Sequence, residues 1–162
     1  MIKGFLGTLL LLTATLAAAS ELRGVVVGVT DGDTITVLDD GHKKHKVRLA
    51  GIDTPERHQP FADRARQYLL TLAFKKQATL DCYKTDQYKR RVCRVWVEGK
   101  DVALAQVQAG LAWHYKRFEK EQTPSERASY ARAEDDARAS RIGLWQSNRP
   151  VPPWEFRQQG NK

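Results

Sequence analysis

Three short stretches hold the residue types that chemistry on a phosphate needs: "DGDT" at 31–34, "VRLAGIDTPERHQP" at 47–60 and "KTDQYKRR" at 84–91. The first contributes Asp33, the second Arg48, Asp53 and Glu56, and the third Arg90. Hard divalent cations take several oxygen ligands, and Asp33 with Asp53 supplies two if they stand at adjacent strand ends. An ion held by so few carboxylates keeps waters and open positions for a phosphate, as a catalytic ion does. Glu56 sits beyond them at a turn, where a carboxylate orients or deprotonates an attacking water. Charge gathering on the oxygens of a phosphoryl transition state requires cations besides the metal. A guanidinium fork donates two parallel hydrogen bonds and stays charged at any relevant pH, which makes Arg48 and Arg90 the candidates. Taken singly, each group has a plainer reading: a tight Asp-Gly turn, a solvated turn ahead of a helix, a cation on a strand surface or in a basic loop. Their combination is what points to a reaction.

The elements that must position these residues can be read from periodicity. β-Branched runs at 25–29 and 35–37 and a third run at 47–50 read as strands, with Asp39-Asp40-Gly41 turning between two of them. Phe61, Ala65, Tyr68, Leu69 and Leu72 fall at helical spacing, with Pro60 suited to the first turn. Strands at 78–83 and 92–97 enclose the polar loop that holds Arg90, and Glu98-Gly99-Lys100 makes the next turn. Asp101 is an N-cap for a short helix through Leu111, helped to its end by Gly110. Thr123, Pro124 and Glu126 are the capping box and first-position proline of a longer helix, for which Gly143 is the expected stop. The proline-rich "RPVPPWEF" is expected to run extended along the domain. Five strands with one inserted helix predict an α+β chain: a small, partly open, five-stranded barrel of the oligonucleotide-binding kind, with two C-terminal helices packed outside. An ordinary α+β layer is the alternative, because strand order is not written in periodicity.

Composition bounds the setting. Lys3, the apolar run from Phe5 to Leu16 and the small residues Ala17 and Ala19 have the layout of a secretory leader over residues 1–19. That run is short for a membrane span, which takes about 20 residues, so the expectation is an exported protein, periplasmic or extracellular, with no membrane association once the leader is removed. Residues 20–146 suffice for one domain, and 147–162 form the tail. The formal net charge of +8 favours polyanionic partners, although basic surfaces also serve solubility alone. Cys82 and Cys93 flank one turn, where a hairpin would bring them opposite each other for a disulfide; two free buried thiols are the other reading. No C-x-x-C pair accompanies the four histidines, which argues against zinc. Nothing in the sequence asks for more than a monomer.

Taken in order, "DGDT", "RLAGIDTPE" and "DQYKR" resemble the thermonuclease family of staphylococcal-nuclease-like secreted enzymes, and the likeness runs from about Val25 to Trp145, including "DVALAQVQAGLAW". The resemblance implies a calcium-dependent phosphodiesterase on an oligonucleotide-binding barrel that cuts DNA and RNA with little sequence preference. The family's two metal carboxylates fall on Asp33 and Asp53, and its backbone carbonyl ligand falls on Thr54. Its active-site glutamate falls on Glu56, as base or as water positioner, and its two phosphate-binding arginines on Arg48 and Arg90. Two positions depart from the pattern: Lys89 stands where a glycine usually precedes the second arginine, and Gln87 replaces a lysine, while Tyr88 is retained. Tyr88, Trp113 and Tyr115 are candidates to stack on a base, against a plainer role in core or rim. A nucleic-acid-binding module on the same fold that has lost catalysis is the competing reading, as is a protein whose turns are incidental. Loss of catalysis would be expected to show at one of the five charged positions, and none is lost; incidental turns would require the coincidence of all five to mean nothing.

Overall fold

A strand with one face on a core buries every second side chain, and this rule shapes the first half of the chain. In the computed structural model, which describes residues 21–160, Val26, Ile35, Val37 and Val47 point into one core and are fully buried. Strand β1 (Glu21–Val29) pairs antiparallel with β2 (Thr34–Asp39), and β2 with β3 (Lys44–Leu49). The two-residue β4 (Ile52–Asp53) and helix α1 (Ala62–Ala73) follow. Strands β5 (Gln77–Thr85) and β6 (Arg91–Val97) form a second hairpin, and β5 also lies antiparallel on β1. Parallel pairing of β3 with β6, with Val47 opposite Arg91 and Leu49 opposite Cys93, closes the ring. The five long strands therefore form a closed mixed barrel of the oligonucleotide-binding type, not an open layer.

The helices seal the barrel and set its working end. Helix α1 buries Ala65, Leu69 and Ala73, one residue per turn on a single face. Strand β7 (Lys100–Asp101) leads into α2 (Val102–Gln108), and Asp101 accepts the Ala103 and Leu104 N–H groups as the expected N-cap. Strand β8 (Trp113–His114) pairs with β4, which ties the chain after α2 to the Asp53 turn. Helix α3 (Pro124–Ala139) opens with the predicted capping box of Thr123 and Glu126. A second cluster of Trp113, Ala137, Leu144 and Trp145 lies beside the barrel core. Full burial of each large apolar side chain contributes roughly 1.5–3 kcal/mol, so the interlocked clusters hold these connections in place. Cys82 and Cys93 are directly opposite in the β5–β6 hairpin and are joined as a disulfide, with Cα atoms 4.0 Å apart.

Three local expectations are corrected. Pro60 precedes α1, because Phe61 takes a left-handed conformation (φ 70) and the helix begins only at Ala62. Helix α3 stops at Ala139, before Gly143, with Arg141 in the left-handed region (φ 51). Gly143 serves another end: its Leu144 neighbour donates an N–H to the Gly110 carbonyl at 2.8 Å, and a Cβ on Gly143 would lie 2.2 Å from that oxygen. The tail is not extended throughout, since a third C-terminal helix, α4 (Pro153–Gln159), starts with proline in its first turn. It does lie along the domain, through Trp154. The expected leader, residues 1–19, falls outside the described residues. Among the described residues no helix is long and apolar enough to cross a membrane.

Candidate functional site

The site is built on the turn between β1 and β2, where Asp31 Oδ1 accepts the Asp33 N–H at 3.0 Å. Gly32 is required there: a Cβ would stand 2.8 Å from both Ala65 Cβ and Thr54 Oγ1. Gln106, fully buried on α2, donates its Nε2 to the Gly32 carbonyl (2.7 Å) and the Ala65 carbonyl (2.8 Å). One side-chain amide thus fastens the turn to α1, and buried donors of this kind are costly to remove. The second turn is locked to the first, because the Thr54 backbone N–H and hydroxyl both donate to Asp33 Oδ2, at 3.2 and 3.0 Å.

Arg48 reaches from β3 between the two carboxylates. Its Nη1 lies 2.8 Å from Asp33 Oδ2 and its Nη2 2.9 Å from Asp53 Oδ1, with Arg48 14 % and Asp53 3 % exposed. The other oxygen of Asp53 is taken by Arg157 of α4, whose Nη2 is 2.8 Å away, and Arg157 Nη1 also donates to Glu56 Oε1. Glu56 is held from behind as well, since its N–H donates to Gln59 Oε1 at 2.7 Å while Gln59 Nε2 donates to the Val151 carbonyl. Asp33, Arg48, Asp53, Thr54 and Glu56 therefore form one continuous network. Arg90 joins it through a hydroxyl, with its Nη1 3.2 Å from Thr34 Oγ1, which in turn donates to Asp33 Oδ1.

The loop presenting Arg90 is made by Asp86, which accepts the N–H groups of Tyr88 and Arg90 and pairs with the Arg90 Nε at 2.8 Å. Lys89 adopts the left-handed conformation there (φ 61), so this turn takes the backbone shape that favours glycine without one. Tyr88 is 67 % exposed, and the Arg90 guanidinium lies 5.3 Å from its ring centre. Tyr88 and Tyr115 line one cleft of about 620 Å³ with Asp33, Arg48, Asp53 and Arg90, a volume suited to a nucleotide-sized ligand. Trp113 does not join them: it is buried in the second cluster, edge-on to Trp145.

Burial, together with the charge of Asp33 beside it, pushes Asp31 up to about 6. Burial also raises Asp53 above its ordinary value, against the pull of Arg157 and Arg48. For Arg48, burial works downward, but the Asp33 and Asp53 carboxylates outweigh it and hold the guanidinium charged. Burial would raise Asp86 too, yet its bonds from Arg90 leave it below the ordinary value.

Asp33 and Asp53 present oxygen donors on either side of one guanidinium, and a second guanidinium, from Arg157, acts as counter-ion to Asp53 and Glu56. Such oxygen-only donors fit a hard divalent cation. Among the described residues there is no group of three or more His, Cys, Asp or Glu side chains placed to hold a metal by themselves. An ion bound here would have only two side-chain carboxylates, Asp33 and Asp53, to draw on and would need further oxygen donors. Sequence reasoning missed Gln59, Gln106, Trp154 and Arg157 as parts of the site, and read Asp31 only as turn.

Asp33, Arg48, Asp53, Tyr88, Arg90 and Tyr115 thus share one cleft of an oligonucleotide-binding-type barrel. The staphylococcal nuclease homologue family matches over residues 46–147, and the chain belongs to that family. Its relatives include an "Uncharacterized endonuclease" of Haemophilus influenzae, 36 % identical over 97 % of this chain and 86 % of that protein. Protein ParB of Escherichia coli is 39 % identical over 89 % of this chain and 84 % of its own length. The micrococcal nuclease of Shigella flexneri is 34 % identical over 90 % of this chain and 86 % of its own.

Proposed function

We propose that the protein is a calcium-dependent phosphodiesterase that hydrolyses DNA and RNA with little sequence preference. The observation that carries this reading is the single hydrogen-bonded network linking Asp33, Arg48, Asp53 and Glu56, with Arg90 one hydroxyl away. Family membership and the endonuclease and micrococcal nuclease relatives support it.

In this mechanism Asp33, Asp53 and the Thr54 carbonyl would hold a calcium ion, and the chemistry such an ion would supply there is Lewis-acid polarisation of the phosphate. Arg48 and Arg90 donate to the phosphate oxygens and strengthen those bonds as negative charge builds on them. Glu56 orients a water for attack on phosphorus and accepts a proton from it, directly or as the water ionises. The P–O bond to the leaving sugar oxygen then breaks, and that oxygen collects a proton from solvent. Tyr88 and Tyr115, on the walls of the cleft, stack against flanking bases. The leader-like residues 1–19 and the Cys82–Cys93 disulfide support export to an oxidising compartment, periplasmic or extracellular, where the domain expected over residues 20–146, with α4 docked on it, acts as a monomer.

The test is digestion of plasmid DNA and of RNA by the purified mature chain in calcium, in magnesium and in chelator. Degradation of both polymers in calcium, abolished by chelator, is the expected result. Tight binding without cutting under any metal would make the protein a binding module on the same barrel.

A further inference from the structure

Asp53 has one guanidinium on each carboxylate oxygen, and the two have different standing. Arg48 is fixed in the barrel by Asp33 and by the Leu49 carbonyl. Arg157 arrives from the tail, is 42 % exposed and lines the same cleft as Arg48 and Arg90. Helix α4 is firmly seated, because Trp154 stacks on Tyr115 (5.3 Å, planes 12° apart) and meets Trp113 edge-on at 6.3 Å. Pro153 is buried beside it, and the Val151 carbonyl is tied to Gln59. Trp154 and Arg157 are three residues apart and so share a helix face, which means that docking the tryptophan places the arginine over the carboxylates.

We infer that Arg157 is a third phosphate-binding arginine of this site, parked on Asp53 and Glu56 until a divalent cation and a nucleic acid arrive; the inference rests on the nuclease reading above. The crowding of carboxylates drives it. Asp33, Asp53 and Glu56, with Asp31 beside Asp33, outnumber Arg48 and Arg157, whereas Arg90 is already matched by Asp86. A divalent cation on Asp33 and Asp53 would offset that excess and take an acceptor from Arg157. A phosphodiester oxygen would replace the lost acceptor, and the freed fork has the planar geometry to bind it. The tail helix thus forms a wall of the substrate cleft, with Trp154 and Tyr115 as a paired aromatic surface next to the phosphate.

The experiment compares the wild-type mature chain with Arg157→Gln and Arg157→Lys. Calcium binding is measured by calorimetry without nucleic acid, and kcat and KM are measured on a single-stranded deoxyoligonucleotide across a salt series. The glutamine variant is expected to bind calcium as tightly as wild type or tighter, having lost a competitor. Its KM should rise about 10- to 100-fold, the loss of one charge-assisted bond, and its salt dependence should flatten by about one counterion. The lysine variant should recover part of both. An unchanged KM and salt slope in Arg157→Gln overturns the inference while leaving the nuclease reading intact. So does a raised KM in which lysine does no better than glutamine and the near-ultraviolet circular dichroism of the Trp154–Tyr115 stack is lost, since Arg157 then only docks the helix. A wild-type chain that does not cut the oligonucleotide under calcium refutes the nuclease reading itself.

Discussion

Replacing Arg48 by methionine keeps most of the side-chain volume and removes the guanidinium that separates Asp33 from Asp53. Both lost ion pairs are short, 2.8 and 2.9 Å, and the side chains involved are 14 %, 8 % and 3 % exposed. Removing one partner of a buried pair costs roughly 3–5 kcal/mol, because an uncompensated charge stays behind. Arg157 still faces Asp53, so the lower end applies, about 3 kcal/mol in chelator. With a denaturant slope of about 2 kcal/mol per molar urea, the unfolding midpoint should fall by about 1.5 M. Calcium supplies the missing positive charge, so it should raise the midpoint of Arg48→Met by more than it raises that of wild type. Urea titrations followed by tryptophan fluorescence, with calcium and with chelator, read both numbers. A loss below about 1 kcal/mol in chelator, or an equal calcium increment in the two proteins, would refute the idea that Arg48 holds two charged carboxylates together in place of a metal.

Reducing the Cys82–Cys93 bridge, or replacing both cysteines by alanine, should cost about 3 kcal/mol by releasing a short closed loop. Activity per folded molecule should persist, as checked by urea unfolding beside a cleavage assay. Gly110→Ala should lower the melting temperature by about 10 °C, because the backbone is left-handed (φ +65) and the new Cβ would sit 2.5 Å from the Ile142 carbonyl oxygen. Gly99→Ala shares the left-handed backbone but has open space, so a calorimetric loss as large as that at Gly110 would contradict the steric argument. Burial raises the Glu126 pKa, but bonds from the Thr123 N–H and Arg94 more than reverse this and leave it below its ordinary value. Its stabilisation is therefore complete above the ordinary carboxylate value of about 4.3 and is lost as pH falls through the lower folded value. Urea midpoints of wild type and Glu126→Gln should accordingly differ near neutrality and converge in acid.

How much of this was legible depends on the distance over which each feature is decided. The Asp101 N-cap and the Thr123–Glu126 capping box use hydrogen bonds within three residues, and the sequence shows both. The cysteine pairing follows from a hairpin register that alternation already suggests. The charged cluster was readable because three motifs occur in order, although each alone reads as a turn. Gly143 misled because its left-handed backbone answers to Gly110, more than thirty residues away, and not to the end of its own helix. Arg157 was invisible for the same reason: its carboxylate partners lie 101 and 104 residues earlier, and the prolines before it suggested an extended tail. The stacking of Trp154 on Tyr115 and the tie between Gln59 and the Val151 carbonyl turn that segment into part of the site.

The most direct test of the account is Glu56→Gln, measured for cleavage and for DNA binding in the same calcium buffer. Glu56 is 39 % exposed on a turn, so the isosteric change should leave stability nearly untouched while removing the carboxylate proposed to orient or deprotonate the attacking water. Turnover should fall about 10²- to 10⁴-fold with binding nearly retained. Turnover equal to wild type would contradict it and remove Glu56 from the reaction.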